Sequence, residues 1–202
     1  MKDAARQIST RDAILDATDR LLTRYGYKKM TIDDLAQEVG IGKGSVYLHF
    51  SSKEEIALSH IDRIIDRLKT RLNEIAQSES PVDERLRDML VERVLVRFDS
   101  VQHYTQSLNE LLASLRAKLL ERRKRYFDEE SAIFAAVIVD GQRSGQIVSG
   151  DPSDIAHTLL SATNSLLPYS LSTAELGERK ELAKRAQKTA DIMIRGLSAR
   201  AA

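Results

Sequence analysis

Apolar residues recur every three or four positions along most of the chain, and this spacing predicts a succession of amphipathic helices. The first predicted helix runs from about Thr10 to Tyr25. Gly26 follows it and is a suitable helix stop. The apolar stripe of this helix is formed by Ile14, Leu15, Ala17, Leu21 and Leu22. A helix with one such face needs a partner to bury it, so further helices should pack against it.

Two short helices are predicted next, on either side of a glycine-rich segment. The second helix begins at Thr31, a good N-cap residue, and ends at Gly40. The third covers about residues 43–48. Ser52 then begins a Ser-x-x-Glu capping box, which predicts the start of a long helix over about residues 53–77.

The rest of the chain is predicted to form longer and more apolar helices. Their approximate ranges are 82–101, 105–122, 125–144, 153–170 and 178–198. The pattern therefore predicts an all-α protein of about nine helices. A compact three-helix module over residues 1–52 is expected to join a larger antiparallel helical domain over residues 53–202.

Composition removes several classes of function. The 202 residues include no cysteine, which excludes disulfides and thiolate chemistry, and the net charge is only +1. The first 60 residues hold nine basic and nine acidic side chains, so bulk charge gives no sign of nucleic-acid binding. The longest apolar run, residues 132–139, is far below the roughly 20 residues of a membrane span. We expect a cytoplasmic protein that does not enter a membrane.

Catalysis and metal binding find little support. The four histidines, His49, His60, His103 and His157, lack the spacing of metal ligands. No Ser/His/Asp set or pair of carboxylates stands out as an active site. We therefore predict no cofactor, no metal and no enzymatic activity.

The segment VGIGKGSVYLHF, residues 39–50, resembles a phosphate-binding loop at first sight. A P-loop requires the order G-x-x-x-x-G-K-[S/T] between a strand and a helix. Aligned on Lys43, the first glycine would fall at Gln37 and the hydroxyl position at Gly44. The preceding residues also form a helical pattern instead of a strand, so the sequence argues against a nucleotide loop.

The same segment fits the packing rules of a helix-turn-helix. Ala36 is small where the two helices would meet, Gly40 suits the turn, and Val46 would fill the angle between the helices. The outward positions of the second helix then carry groups that reach phosphates and base edges. An ordinary helical hairpin, in a ligand-binding or scaffold protein without DNA binding, remains an alternative.

The sequence TIDDLAQEVGIGKGSVYLHFSSKEEI, residues 31–56, resembles the DNA-binding module of TetR/AcrR-type transcriptional regulators. The likeness extends to the preceding helix and its exit, Tyr25-Gly26-Tyr27. The Tyr-x-x-Phe pair at Tyr47 and Phe50 is its most diagnostic part. The resemblance covers about residues 10–58, and position 42, often a serine in that family, is a glycine here.

The resemblance implies a role for each residue of this module. Contacts with double-stranded operator DNA are expected from Thr31, Lys43, Gly44, Ser45, Tyr47, His49 and Lys53. Lys43, Gly44 and Ser45 would face base edges, and the other four would meet phosphates or sugars. Phe50 is expected in the core, and Arg6 and Arg11 are candidates for further phosphate contacts or for solvated surface residues.

The family likeness also implies a homodimer that reads a palindromic operator and is released by a small-molecule effector. The dimer would form through the helices at about 153–170 and 178–198, although their apolar stripes could equally close the chain's own core. These stripes are Ile155, Leu159, Ala162 and Leu166, and Leu182, Ala186, Ala190, Met193 and Leu197. Because no interior charge is evident, an apolar or amphipathic effector is favoured. Candidate lining residues are Phe98, His103, Tyr104, Phe127, Phe134, Asn164 and Tyr169.

A basic run over residues 116–125 is followed by acidic side chains. Pairs at i,i+4, Lys124 with Asp128 and Arg125 with Glu129, suggest a solvated helix face that neutralises itself. A second nucleic-acid surface is the less favoured interpretation.

Overall fold

A computed structural model describes the backbone of residues 2–102, 105–167 and 173–199, and the side chains of residues 10–100, 114–167 and 175–199. The described backbone is almost entirely helical, as predicted. No helix within it is long and apolar enough to cross a membrane. The helices are α1 (Lys2–Lys29), α2 (Ile32–Val39), α3 (Lys43–His49), α4 (Lys53–Ala76), α5 (Val82–Gln102), α6 (Thr105–Arg143), α7 (Pro152–Asn164), α8 (Thr173–Leu176) and α9 (Arg179–Leu197).

Several helix boundaries differ from the prediction. The helix expected over residues 153–170 is α7, which already ends at Asn164. Helix α1 already begins at Lys2, although its predicted interruption at Gly26 is present, with φ 79° and ψ 167°. The predicted break between residues 122 and 125 is wrong, because α6 runs through this segment. The irregular residue of α6 is Leu115 instead, with φ −124° and ψ 17°.

The chain divides into two compact units. Unit 1 comprises residues 1–65 and 103–120, and unit 2 comprises residues 66–102 and 121–202. These units are spatial groupings, so α4 and α6 each contribute to both. The boundary predicted at residue 52 divides the chain by function, into a DNA-binding part and a larger helical part, and it stays a prediction.

The core of unit 1 forms around the apolar stripe of α1. Ile14, Leu15 and Ala17 are fully buried and pack with Leu35 of α2 and Val46 of α3. The first turn of α4 and Leu115 of α6 complete the same cluster. Each large apolar side chain that becomes buried contributes about 1.5–3 kcal/mol. The short helices α2 and α3 are therefore held by packing, since helices of their length are not stable alone.

The core of unit 2 is formed by α5 with the later part of α6, α7 and α9. A second cluster contains Phe98 of α5 with Leu182 and Ala186 of α9. A short β-bridge links Ile147 to Ser198. In this bridge the Val148 amide donates to the Leu197 carbonyl at 2.9 Å. The C-terminal end of α9 is thereby fixed to the loop before α7.

Most of the two apolar stripes on α7 and α9 face the interior of unit 2. Leu159, Leu182, Ala186 and Ala190 are buried in the chain's own core. These four residues therefore close the core of the chain itself, which was the alternative to a role in the dimer. Ala162 of α7 and Ile192 of α9 are exposed, so each helix also has an apolar residue on its outer side.

Candidate nucleic-acid interface

The turn between α2 and α3 depends on Gly40. This residue adopts a left-handed conformation, with φ 73° and ψ 35°. The following amide, that of Ile41, donates to the Ala36 carbonyl at 2.9 Å and so satisfies the end of α2. A side chain at this φ would be strained, which explains the glycine. The turn predicted from sequence is confirmed.

The angle between α2 and α3 is filled as the packing rules require. Ala36 is buried where the helices meet, and Val46 is completely buried between them. Ile41 and Val39 pack against the same core from its edge. Glu38 joins the outer side of α2 to α1 through an ion pair with Arg20 at 2.7 Å. These contacts fix α3 on the unit 1 core and leave its opposite side exposed.

The exposed side of α3 combines bare backbone at Gly44 with the large side chains of Tyr47 and Leu48. Lys43 and Gly44 are exposed, whereas Ser45 and His49 are half-buried. Tyr47 is 50% exposed and Leu48 is 85% exposed. Gly44 and Leu48 are four residues apart, so they lie on the same side of the helix. Leu48 was not among the predicted contact residues, although its position two residues after the buried Val46 already indicated an outward side chain.

Lys43 already has an acidic partner. Its ammonium group donates to the Asp33 carboxylate at 2.8 Å, and both side chains are at least half exposed. This hydrogen bond, together with the charge of Asp33, raises the pKa of Lys43 above its usual value. Lys43 is thus a cation at neutral pH, but a phosphate or base would compete with Asp33 for it. Asp33 influences the site and was missed by the sequence reasoning.

Thr31 caps α2 with both of the groups that were expected to meet a phosphate. Its amide donates to the Asp34 carboxylate at 2.9 Å, and its hydroxyl donates to the same oxygen at 2.7 Å. The Asp34 amide in turn donates to the Thr31 hydroxyl at 3.1 Å. A DNA phosphate at this helix start would therefore replace the Asp34 carboxylate.

Lys53 is engaged with the end of α1. Its ammonium group donates to the carbonyls of Tyr27 at 3.0 Å and Met30 at 3.1 Å, with a longer contact to Lys28 at 3.4 Å. It also lies 4.5 Å from the centroid of the Tyr27 ring. An ammonium group has three donors, and these carbonyls occupy them. The geometry supports a structural role for Lys53, and its predicted phosphate contact stays a prediction.

Phe50 is buried in the unit 1 core, as expected. The Arg11 guanidinium lies 5.0 Å from the centroid of its ring, a cation–π arrangement that leaves the arginine exposed. The side chain of Arg6 lies outside those described.

The predicted effector-lining residues of unit 2 fall into separate environments. Phe98 and Phe134 are both fully buried, but in different clusters. Phe127 is half-buried and stacks on His157, with ring centroids 5.4 Å apart. His103, Tyr104 and Tyr169 lie outside the described residues. Asn164 accepts a hydrogen bond from Arg93 at 3.1 Å.

The expectation that unit 2 holds no interior charge is wrong. Arg93 is 1% exposed and Glu130 is fully buried, and they form an ion pair at 2.6 Å. Because these two residues lie 37 positions apart on different helices, the local sequence pattern gives no sign of their pairing. In the basic run, the predicted pair of Arg125 and Glu129 is present at 3.7 Å. Lys118 pairs with Glu54 at 2.8 Å.

Comparisons with known proteins agree with this geometry. The family described as bacterial regulatory proteins, tetR family, matches residues 14–59. The fatty acid metabolism regulator protein of Bacillus subtilis is 22% identical over 188 residues, covering 91% of this chain and 93% of the relative. The regulator EthR of Mycobacterium tuberculosis is 25% identical over 170 residues, covering 83% and 76%.

A solved transcriptional regulator from Cytophaga hutchinsonii has the same fold, with a TM-score of 0.78 at 19% identity, over 92% of this chain and 97% of that one. The glycine turn, the buried Val46 and the exposed side of α3 define a helix-turn-helix, the arrangement found in DNA-binding regulators. Residues 14–59 are thus similar to the tetR family of bacterial regulatory proteins, and over most of its length the chain is similar to transcriptional regulators.

Proposed function

We propose that this protein is a homodimeric repressor that binds a palindromic operator and leaves it when a small-molecule effector binds. The observation that carries the proposal is α3: its inner side is fixed by the buried Val46, while Gly44, Tyr47 and Leu48 are exposed on its outer side. A recognition helix needs this combination, because it must enter the major groove without losing its support. Two such helices would read two half-sites.

Within this proposal the outer side of α3 supplies both base and backbone contacts. Gly44 allows the start of the helix to approach the bases, and Leu48 would lie against a thymine methyl group. Lys43 and Ser45 would reach base edges, while Tyr47 and His49 would donate to phosphates. Thr31 and Lys53 are secondary candidates, since intramolecular partners already occupy their donors.

We propose that the dimer forms through the outer sides of α7 and α9. Ile192 is 64% exposed and gives the outer side of α9 apolar area that a second copy of the chain would bury. Positions separated by three and four residues form one face on each helix. These are Thr158, Ser161, Ala162 and Ser165 on α7, and Thr189, Ile192, Met193 and Gly196 on α9. The small side chains of the α7 face and Gly196 of α9 would permit close approach of helices around a two-fold axis, with Ile192 supplying apolar contact.

We propose an amphipathic effector that binds in unit 2. The similar protein of Bacillus subtilis is named for fatty acid metabolism, and SmeT, a structural neighbour, has been solved as a complex with triclosan. Fatty acids are amphipathic, which supports this class of effector. Such a molecule would act by binding better to a state in which the two recognition helices no longer match successive major grooves. The proposed division of labour is DNA binding by residues 1–52 and effector binding and dimerisation by residues 53–202, in the cytoplasm.

The first experiment is selection of genomic fragments by the purified protein, followed by measurement of affinity for the recovered operator. Tyr47→Ala should reduce that affinity at least tenfold and leave the thermal unfolding temperature within about 2 °C, because Tyr47 is half exposed. Tyr47→Phe, which keeps the ring and removes the hydroxyl, separates stacking from phosphate contact. Affinity should also fall steeply with salt.

Failure to select any DNA, or a Tyr47→Ala protein that binds as well as wild type, would support a helical ligand-binding protein without DNA binding. The dimer is tested by light scattering. Ile192→Glu should yield monomers, whereas the conservative Ile192→Val should remain dimeric. A dimeric Ile192→Glu protein would place the interface elsewhere.

A further inference from the structure

The backbone between α1 and α2 is anchored on both sides of Lys29. The Met30 amide donates to the Gly26 carbonyl at 3.1 Å. Tyr27 and Met30 are buried in the unit 1 core, whereas Lys29 between them is exposed. The position of the Lys29 backbone is therefore fixed, and its side chain extends into solvent.

Lys53 of α4 strengthens this anchoring. Its ammonium group donates to the carbonyls of Tyr27 at 3.0 Å and Met30 at 3.1 Å, one on each side of Lys29. A longer contact reaches the Lys28 carbonyl at 3.4 Å. The three donors of the ammonium group are thus directed at the protein, and a phosphate that approached Lys53 would have to break these contacts. Lys53 therefore acts on the segment that carries Lys29.

Lys29 differs from neighbouring cations because no acidic side chain is paired with it. Lys43 pairs with Asp33 at 2.8 Å, and Arg20 pairs with Glu38 at 2.7 Å. Among the described residues, no carboxylate oxygen lies within 4 Å of the Lys29 ammonium group. A paired cation must exchange one contact for another when it meets a phosphate. Lys29 would gain its contact without losing one.

Lys29 also lies beside the proposed DNA contacts. It precedes Thr31, the N-cap of α2, by two residues, so their Cα atoms are at most about 7 Å apart. The hydrogen bond between Lys43 and Asp33 joins the start of α3 to the first turn of α2. The starts of the two helices therefore lie side by side. A phosphate that flanks the bases at the start of α3 is within reach of the long, flexible lysine side chain.

We propose that Lys29 binds a phosphate of the operator backbone, and that Lys53 positions this lysine without contacting DNA. The proposal rests on the proposed function and transfers the phosphate contact expected of Lys53 to Lys29. A lysine ammonium group is a compact charge, so the contact would fix the register of the protein on DNA without reading a base. Each protomer of the dimer would contribute one such contact.

The first test is a titration of the selected operator at several salt concentrations, followed by fluorescence anisotropy. Lys29→Gln should reduce the slope of log affinity against log salt concentration by about one per protomer, because one phosphate contact is lost. The unfolding temperature should stay within about 2 °C of wild type, since Lys29 is exposed. The matched control is Lys180→Gln, an exposed lysine of unit 2 outside the proposed contacts, which should leave the slope unchanged.

The second test locates the phosphate. Operators with an uncharged methylphosphonate at one backbone position at a time are compared with the unmodified duplex. One position in each half-site should weaken binding of wild type and have no effect on Lys29→Gln. If every neutral linkage affects the two proteins equally, Lys29 does not bind a phosphate and the proposal is overturned. An unchanged salt slope in Lys29→Gln would overturn it too.

The positioning role of Lys53 is tested in the Lys29→Gln background. Adding Lys53→Met there should leave the salt slope unchanged, because Lys53 does not contact DNA. If the double variant does not fold, Lys53→Gln replaces Lys53→Met, since it removes the charge but keeps a donor for the carbonyls. A further fall in slope by about one per protomer would identify a phosphate contact of Lys53 itself and refute its positioning role. A protein that selects no DNA would refute the regulator function as well, whereas operator binding that is insensitive to Lys29 would refute this contact alone.

Discussion

Gly44→Ala is expected to raise stability and weaken DNA binding at the same time. An added Cβ at Gly44 would meet nothing within 4 Å, and the residue has no positive φ. Replacing glycine by alanine inside a helix stabilises by about 0.5–1 kcal/mol, because less backbone freedom is lost on folding. Near the start of α3 we expect the lower end of this range. For a protein of this size the unfolding temperature would rise by about 1–3 °C.

The same methyl group lies on the side of α3 that carries Leu48. It extends about 1.5 Å from the backbone, so a helix seated against base edges would have to withdraw by a similar distance. Hydrogen bonds near 2.9 Å would then lengthen beyond their useful range. Loss of one such bond costs about 1.4 kcal/mol, a factor of ten in affinity, and each protomer of a dimer suffers the loss.

The assay is fluorescence anisotropy with the selected operator, alongside thermal unfolding of the same preparations. Thr23→Ala is the matched control: it replaces an exposed residue of α1 by a better helix former and lies outside the proposed contacts. It should raise the unfolding temperature without changing affinity. Unchanged operator affinity in a stabilised Gly44→Ala protein would show that the backbone of α3 does not approach the bases, and the assignment of this face would be wrong.

Four further changes test the polar contacts. Asp33→Ala should strengthen operator binding, because it removes the carboxylate that competes for Lys43. Lys43→Ala should weaken operator binding and reduce the slope of log affinity against log salt concentration by about one. Changes of the opposite sign in binding titrations would refute this competition. Lys53→Met should lower the free energy of unfolding by about 1.5–3 kcal/mol in urea titrations, because the ammonium group loses its contacts with three carbonyls. Weaker DNA binding without loss of stability would instead identify a phosphate contact. Glu130→Gln should cost about 3–5 kcal/mol in the same titrations because it leaves buried guanidinium groups unpaired, and a change below 1 kcal/mol would contradict the burial.

The sequence was most informative where local rules determine the structure. Gly40 needs its left-handed conformation, and Val46 stands at the helical spacing that fills the angle, so the turn could be derived from these residues alone. Leu115 carries no such signal. Leucine favours helices, and the irregularity at this position has no glycine or proline beside it.

Long-range pairing could not be derived in the same way. Arg93 and Glu130 lie on different helices, 37 residues apart, and nothing in either local pattern distinguishes them from solvated residues. Lys53 presents a related difficulty: its family position suggested DNA, whereas the carbonyls that it contacts become its neighbours only after α1 and α4 pack. In both cases the sequence shows the charge and the donors of the side chain, but it does not show which group they contact.

The shared carboxylate of Glu130 also sets the register of the helices around it. Each oxygen meets a different arginine of α5 at 2.6 Å, and Arg93 extends the same set of bonds to α7. Arg93 and Arg97 lie one helical turn apart, so a slip of α5 by one turn, about 5.4 Å, would leave only one of them opposite Glu130. A smaller shift of α5 forms no new ion pair, because neither arginine would then lie within hydrogen-bond distance of its Glu130 oxygen. The three helices therefore have one alignment in which Glu130 contacts both arginines, and sliding of α5 along α6 breaks at least one of these contacts.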